Sequence, residues 1–245
     1  MDGYEVRPLD LDQVREAVQW AEREGWEPGL TDAEPFFAAD PQGGFFGGWL
    51  DREMVATMSA VRCSAEVAFV GFYIVDPEIR GKGYGKYLWD EVLSRYPGMT
   101  FGADSVPEQV ASYETDGFSV AYGNARYSGS ALPGPDENGP TLTPAGSVDF
   151  DALVEFDGRH CFGPRPDFLR PWIEGPGREA LVATDESGGI TGFAASRRSS
   201  GGTRIGPVFA VGQETARSLI LELADRAGGR VAVEVLVRAS SSTYY

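Results

Sequence analysis

Apolar and polar positions at the start of the chain alternate in a pattern that changes from strand-like to helical and back. Leu11, Val14, Val18 and Ala21 recur at the spacing of one helix face, after a capping Asp10. Runs rich in β-branched and aromatic residues predict strands on both sides of the helices. The pattern predicts a strand, two helices and three antiparallel strands over residues 4–7, 11–24, 31–38, 44–50, 54–62 and 66–75.

The last of these strands leads into a glycine-rich turn and another helix. Asp76 and Pro77 end the apolar run, and glycines follow at positions 81, 83 and 85. Because the apolar residues then recur three and four positions apart, they line one face of a helix. These residues are Tyr84, Tyr87, Leu88 and Val92.

A strand, a glycine loop and a helix in this order suit a phosphate group. The first turn of a helix leaves backbone N–H groups without partners and carries the positive end of the helix dipole. Glycines let an anion approach the loop amides closely, since they have no Cβ. Arg80, Lys82 and Lys86 add three cations around the same point. We therefore interpret the stretch as a phosphate cradle.

Two common phosphate-binding motifs do not match this cradle. A P-loop requires a serine or threonine after its Gly-Lys pair, and here Tyr87 follows Lys86. A dinucleotide fingerprint that starts at Gly81 requires glycine where Lys86 stands, although Asp104 nearly fills the position of its acidic residue. The loop therefore belongs to neither of these two classes of phosphate-binding motif.

The rest of the chain divides at a stretch of glycine and proline. A fifth strand (99–103), a helix (108–116) and a sixth strand (118–127) complete a first domain, residues 1–128, and residues 129–140 are predicted to be a linker. Residues 141–245 repeat the earlier order of elements, as a tandem duplication would. In this second domain Glu214 stands where an anion would bind, so its phosphate loop is degenerate.

Composition narrows the classes of function. The 37 acidic and 21 basic residues give a net charge of −16, which would repel nucleic acid and anionic membranes and attract a cationic amine. Cys63, Cys161 and the single histidine, His160, are too few for a zinc site or a Ser-His-Asp triad. The start of the chain is polar and no run is long enough to span a membrane, so we expect a soluble, reduced, cytoplasmic protein without a metal.

Two motifs resemble those of one enzyme superfamily. Arg80, Gly83 and Gly85 fill the pattern Arg/Gln-x-x-Gly-x-Gly/Ala, and Tyr113, ahead of the Gly-Phe pair at 117–118, fills Tyr-x-x-x-Gly-Phe. Both are similar to signatures of the GNAT N-acetyltransferases, and the two halves together resemble the bacterial tandem-GNAT type. The resemblance implies an α/β (α+β) fold of two GNAT-like domains, each with a mixed, mostly antiparallel sheet flanked by helices. The second domain would be truncated, and its open sheet edge would allow a homodimer.

The same resemblance implies acetyl-CoA as cofactor and a direct attack by an amine. Tyr113 would be the general acid, and a bulged or splayed strand near Gly71 would free an amide for the thioester carbonyl. For the general base, Glu66 at the start of the fourth strand and Asp104 at the end of the fifth are the candidates, and relay of the proton by water is the alternative. Cofactor contacts are expected from Phe72, Tyr73, Ile74, Val75, Arg80, Gly81, Lys82, Gly83, Tyr84, Gly85 and Lys86.

The acceptor is less defined by the sequence. Aromatic residues in the helices of both halves are candidates for its pocket wall, namely Trp26, Phe36, Phe168 and Trp172. A small-molecule amine is the leading acceptor. Acetylation of protein lysines or N-termini, and a non-catalytic acyl-CoA-binding role, are the alternatives.

Overall fold

A computed structural model describes residues 3–40, 43–130 and 139–237. The first sheet has the order β1-β2-β3-β4-β5 and is antiparallel except for the parallel pair β4 and β5. Its strands are β1 Tyr4–Pro8, β2 Phe45–Leu50, β3 Glu53–Arg62, β4 Val67–Val75 and β5 Thr100–Ala103. Four helices accompany it: α1 Leu11–Arg23, α2 Ala33–Ala39, α3 Tyr84–Ser94 and α4 Val110–Thr115.

The second sheet contains one strand from the first half of the chain. Its order is β6-β11-β10-β9-β8-β7, again with one parallel pair, β10 and β11. Its strands are β6 Gly123–Ser130, β7 Thr141–Pro144, β8 Arg178–Thr184, β9 Ile190–Ser199, β10 Gly202–Ala210 and β11 Arg230–Val237. Its helices are α5 Phe150–Gly158, α6 Pro166–Glu174 and α7 Gln213–Ala227. The predicted α/β class with two mixed, mostly antiparallel sheets is confirmed.

The destination of β6 corrects two predictions. The sixth strand was expected over residues 118–127 of the first sheet, but the strand starts at Gly123 and pairs antiparallel with β11 from Gly123↔Val237 to Ser130↔Arg230. β11 offers a long edge for this pairing, whereas β5 is only four residues long. The edge that was expected to stay open for a second copy is therefore covered. The predicted boundary at residue 128 falls inside β6, and most of the predicted linker lies outside the described residues.

Each sheet packs apolar side chains on both faces. In the first sheet, α3 covers one face through Leu88, Trp89 and Val92, and α1 with α2 cover the other. In the second sheet, α7 covers one face while α5 and α6 cover the other. Burial of these surfaces, at roughly 25 cal/mol per Å² of apolar area, supplies the main driving force for folding.

A buried ion-pair cluster joins the two halves. Asp32, 1% exposed, accepts hydrogen bonds from Arg178 Nη2 at 2.8 Å and from Arg197 Nε at 3.0 Å. The N–H of Gly29 donates to the same carboxylate at 2.8 Å. Both guanidinium groups lie over the Trp172 ring. Asp32 precedes α2, whereas Arg178 and Arg197 belong to strands of the second sheet. Separating them would leave a buried charge uncompensated, so the cluster fixes the position of α2 against the second half.

Candidate active site

The predicted phosphate cradle begins with two glycines in the left-handed region. Gly81 has φ of +76° and Gly83 has φ of +90°, conformations that side-chain-bearing residues seldom adopt. Gly83 caps α3, and the first bond within the helix runs from the Tyr87 N–H to the Gly83 carbonyl at 3.0 Å. The amides of residues 84–86 therefore belong to a first turn that has no acceptor within the helix, as anion binding requires.

Gly85 has a different role, which is close packing of α3 on β4. A Cβ at this position would lie 2.7 Å from both Tyr73 Oη and Val75 Cγ2, closer than real Cβ contacts. Gly85, the second glycine of the motif, therefore lets the helix approach the strand.

The three cations of the loop differ in what they contact. Arg80 donates through Nε to the Val75 carbonyl at 2.8 Å and pairs with Glu24 of the α1–α2 connection. Lys82 donates to the Glu78 carbonyl at 3.2 Å, which keeps its ammonium beside the loop. Lys86 instead pairs with Asp90 and, at 3.5 Å, with Asp116. Arg80 and Lys82 therefore remain close to the backbone of the loop, and carboxylates pair with Arg80 and Lys86.

A β-bulge changes the direction of the side chains along β4. Pairing with β3 shifts between Thr57↔Ile74 and Ser59↔Gly71, and Phe72 takes φ of +48°. The buried Thr57 hydroxyl donates to the Phe72 carbonyl at 2.6 Å, which stabilises this strained residue. Before the bulge, Ala68 and Val70 face α3; after it, Tyr73 and Val75 face α3, while Phe72 and Ile74 face α1 and α2.

Beyond the bulge β4 and β5 separate. The parallel pairing runs only from Val67↔Thr100 to Val70↔Ala103. Residues 71–75 therefore have no partner on β5. A gap opens at the carboxyl ends of the two strands, next to the cradle, and it exposes a strand edge that an extended ligand can pair with. The sequence analysis expected a bulged or splayed strand near Gly71; the bulge is present, and the pairing with β5 stops at Val70.

Tyr113 lies on the α3 side of this gap. Its ring packs edge-on against Trp89 at 5.2 Å and against Phe118 at 5.5 Å between centroids, and Trp89 in turn packs against Tyr73 at 5.3 Å. Burial raises the pKa of Tyr113, and chiefly burial raises the pKa of Tyr73 to about 12. Both phenols therefore keep their protons at neutral pH and act as hydrogen-bond donors.

Asp104 follows β5 at the other side of the gap. Its carboxylate accepts hydrogen bonds from Asn124 Nδ2 at 2.9 Å and from the Tyr122 hydroxyl at 3.4 Å. The surrounding protein, which partly removes the carboxylate from water, raises the pKa of Asp104; Glu234 acts in the same direction, and both hydrogen bonds oppose it. The net rise makes the carboxylate a better proton acceptor than an ordinary surface aspartate.

Glu66, the other candidate base, lies at the far end of β4. Its side chain is exposed in the turn that follows β3, and its backbone carbonyl accepts the Thr100 N–H at 2.8 Å. From Glu66 to Phe72 the strand runs roughly 20 Å at about 3.3 Å per residue. The structure therefore brings Asp104 and Tyr113 to the gap but leaves Glu66 outside it.

Three of the four aromatic residues predicted for the acceptor pocket are packed inside the protein. Phe36 contacts Phe168 at 6.4 Å and Trp172 at 5.9 Å between ring centroids, and Phe72 at 5.5 Å. Phe168 and Trp172 are buried in the core of the second half, and Phe36 is packed against it. These rings join the two halves. The fourth, Trp26, is half-buried, and its carbonyl accepts from Arg126 and Arg204.

Sequence reasoning missed Thr57, Tyr122 and Asn124. Thr57 holds the bulge from a neighbouring strand, and the other two hold Asp104 from the segment that crosses to the second sheet. No local motif marks any of them.

Among residues 3–40, 43–130 and 139–237 no cluster of three or more His, Cys, Asp or Glu side chains could hold a metal ion. Within the same part of the chain, no helix has the length and apolarity needed to cross a membrane.

Comparison with known proteins identifies both halves separately. Residues 11–112 match the model of the Acetyltransferase (GNAT) family. Residues 153–243 match the model of an Acetyltransferase (GNAT) domain. The two matches fall on corresponding parts of the repeat that the order of elements predicts.

Curated relatives match most of the chain, among them the following. The holothin acyltransferase of Pseudoalteromonas sp. (strain SANK 73390) is 33% identical over 216 residues, which cover 87% of this chain and 71% of the relative.

Solved structures share the fold at lower identity. A putative acetyltransferase from Pyrococcus horikoshii superposes with a TM-score of 0.75 at 19% identity, covering 97% of this chain and 80% of that one. A tandem GNAT protein from the clavulanic acid biosynthesis pathway superposes with a TM-score of 0.60 at 16% identity, covering 98% and 91%.

Proposed function

Because this chain belongs to the GNAT acetyltransferase family, we propose that it transfers an acetyl group from acetyl-CoA to the primary amine of a small molecule. The observation that carries the proposal is the gap between β4 and β5, which has a glycine-capped helix at one end and Tyr113 and Asp104 beside it. Family membership makes the chain an acyltransferase. The acyl group, the acceptor and the residue roles are the proposal.

The cradle residues fit the proposed cofactor. The first-turn amides of α3, together with Arg80 and Lys82, would hold the pyrophosphate. Residues 72–75 of β4, which have no partner on β5, would pair with the pantetheine arm as an added strand does. When bound, acetyl-CoA supplies the activated thioester. The tight contact of Gly85 with Tyr73 and Val75 keeps these binding groups in one arrangement.

Two side chains of the gap have the proton chemistry that the reaction needs. An amine with an ordinary pKa near ~10 must lose a proton before it can attack, and Asp104 is our proposed acceptor of that proton. Tyr113 is our proposed acid, since its half-buried phenol holds a proton that it could donate to the departing CoA thiolate. The position of Glu66 in an exposed turn argues against it as the base.

Calorimetric titration with acetyl-CoA, followed by a turnover assay, tests this function. We expect one binding site per chain, because only the first half has the cradle, and release of free CoA thiol when an amine is added. Holothin, the compound in the name of the 33% identical relative, is the first acceptor to assay. No binding of acetyl-CoA would refute the proposal. Binding without thiol release across a panel of amines would refute the catalytic part of it.

A further inference from the structure

Phe162 is exposed where a large apolar side chain is normally buried. It lies in the connection between α5 and α6 and leaves 52% of its surface to solvent. Its ring packs at 6.3 Å between centroids against Phe69 of β4, which belongs to the other half of the chain. The second half therefore places an exposed aromatic ring on the sheet that carries the active site.

The connection that carries Phe162 is firmly held. Arg165 forms two hydrogen bonds with Asp157, at 2.7 Å and 3.0 Å, and Asp157 is completely buried. Gly163 has φ of +143°, and a Cβ there would lie 3.4 Å from the Cys63 carbonyl at the end of β3. The ion pair holds the loop within the second half, and Gly163 places it beside Cys63 of the first half, so the exposure of Phe162 is a feature of the folded state.

Phe162, Phe69 and Asp104 share one face of the first sheet. Phe69 alternates with Ala68 and Val70, which face α3, and so points to the opposite face. Its ring edge lies 3.1 Å from where a Cβ of Gly102 would stand, so the ring packs closely over this glycine. Asp104 is the first residue after β5 and follows Gly102 by two residues, so the alternation of the strand would direct its side chain to the same face. The rings of Phe162 and Phe69 therefore lie on the face of the sheet on which we place the Asp104 carboxylate, next to the gap.

The charges around Asp104 leave this carboxylate available to a cation. Tyr122 and Asn124 are neutral donors to it. Arg126, two residues further along β6, pairs with Glu234 at 2.8 Å and Glu27 at 3.4 Å. An ammonium group near Asp104 would gain a favourable charge interaction while its apolar body covered the exposed ring.

We infer that the acceptor is a primary amine carried on a flat, apolar body, which lies on Phe162 and Phe69 while the amino group reaches Asp104. This inference rests on the proposed function and adds to it a class of acceptor and a specificity-determining residue from the second half. Phe162 contacts the body of the acceptor and takes no part in proton transfer.

Steady-state acetylation of two amines tests the inference, with 2-phenylethylamine as the flat amine and propylamine as the matched aliphatic one. For the wild-type protein we expect the KM for 2-phenylethylamine to be at least tenfold lower. Phe162→Ala should raise that KM about tenfold and change kcat/KM for propylamine less than twofold. Phe162→Tyr, which keeps the ring, should retain the wild-type KM for 2-phenylethylamine, whereas Phe162→Leu should raise that KM. Val211→Ala, at another exposed apolar residue of the second half, is the control.

Three outcomes would overturn the inference. The first is an equal KM for the two amines, and the second is a KM for 2-phenylethylamine that does not respond to Phe162→Ala. The third outcome concerns a protein that binds acetyl-CoA but turns over neither amine. In that case 2-phenylethylamine is titrated calorimetrically into the protein with CoA, and equal binding by wild type and Phe162→Ala, or no binding by either, overturns the inference. If the wild-type protein does not bind acetyl-CoA, the proposed function itself is refuted.

Discussion

The two halves of the chain share a strand geometry but differ in the loop that follows it. Both β4 and β10 contain a bulge whose carbonyl accepts a side-chain hydrogen bond: Thr57 to Phe72 in the first, Arg197 to Gly206 in the second. In both sheets the parallel pair stops early, at Val70 in the first and at Ile205 in the second. The gap is therefore a property of the duplicated fold.

The connection after the gap is where the halves diverge. In the first half, residues 76–83 separate β4 from α3, and Gly83 caps the helix in the left-handed conformation. In the second, only Val211 and Gly212 separate β10 from α7; Gly212 is extended, and Glu214 adds a negative charge to the first turn. The second half therefore has a helix end and a strand gap but lacks the long glycine loop, and Glu214 would oppose an anion there. We expect no anion to bind at this helix end.

A glycine stands at the start of each of these two helices, and substitution of Gly85 at the start of α3 should have the largest effect. Gly85→Ala would push α3 away from Tyr73 and Val75, because its Cβ would lie 2.7 Å from each. We expect acetyl-CoA affinity, measured by calorimetry, to fall at least 100-fold. Gly212→Ala in the second half is the matched control, since it has ordinary φ and no heavy atom within 4 Å of the new Cβ. Equal losses for both variants would mean that the second helix start also binds the cofactor.

Removal of the Tyr113 hydroxyl should have the next largest effect. Tyr113→Phe keeps the packing against Trp89 and Phe118 but removes the proton donor. We expect kcat to fall about 100-fold with acetyl-CoA affinity unchanged. Because burial raises the pKa of Tyr113, the wild-type enzyme should not lose activity through this group between pH 7 and about pH 10. Tyr127→Phe on β6 is the control, and an unchanged kcat in Tyr113→Phe would exclude Tyr113 as the acid.

A smaller effect should distinguish the two candidate bases. Asp104→Asn should lower kcat/KM roughly 10-fold to 100-fold, while Glu66→Gln should leave it unchanged. The raised pKa of Asp104 predicts that wild-type activity falls with decreasing pH through a value above that of an ordinary aspartate, since protonation removes the base. This acid limb should be missing from the pH profile of Asp104→Asn. The opposite pattern in the two variants would assign the base to Glu66.

Much of the cradle was predictable because its determinants are local. Gly81 and Gly83 need the left-handed conformation, and the residues that follow them repeat with helical spacing, all within one short segment. The aromatic residues predicted for the acceptor pocket depend on contacts between distant parts of the chain. Phe36, Phe168 and Trp172 form a joint between the halves, whereas Phe162, with the same kind of side chain, is exposed beside the gap. Aromatic content alone does not distinguish a buried ring from an exposed one.

The sequence by itself determined the repeated order of elements, the glycine-capped cradle of the first half and its absence from the second. These depend on backbone preferences and periodicities that neighbouring residues establish. Only the tertiary structure decided that β6 completes the second sheet, that Asp104 and not Glu66 lies at the gap, and that Phe162 lies over Phe69. Each of these depends on pairing or packing between residues far apart in the chain, and such contacts leave no local pattern.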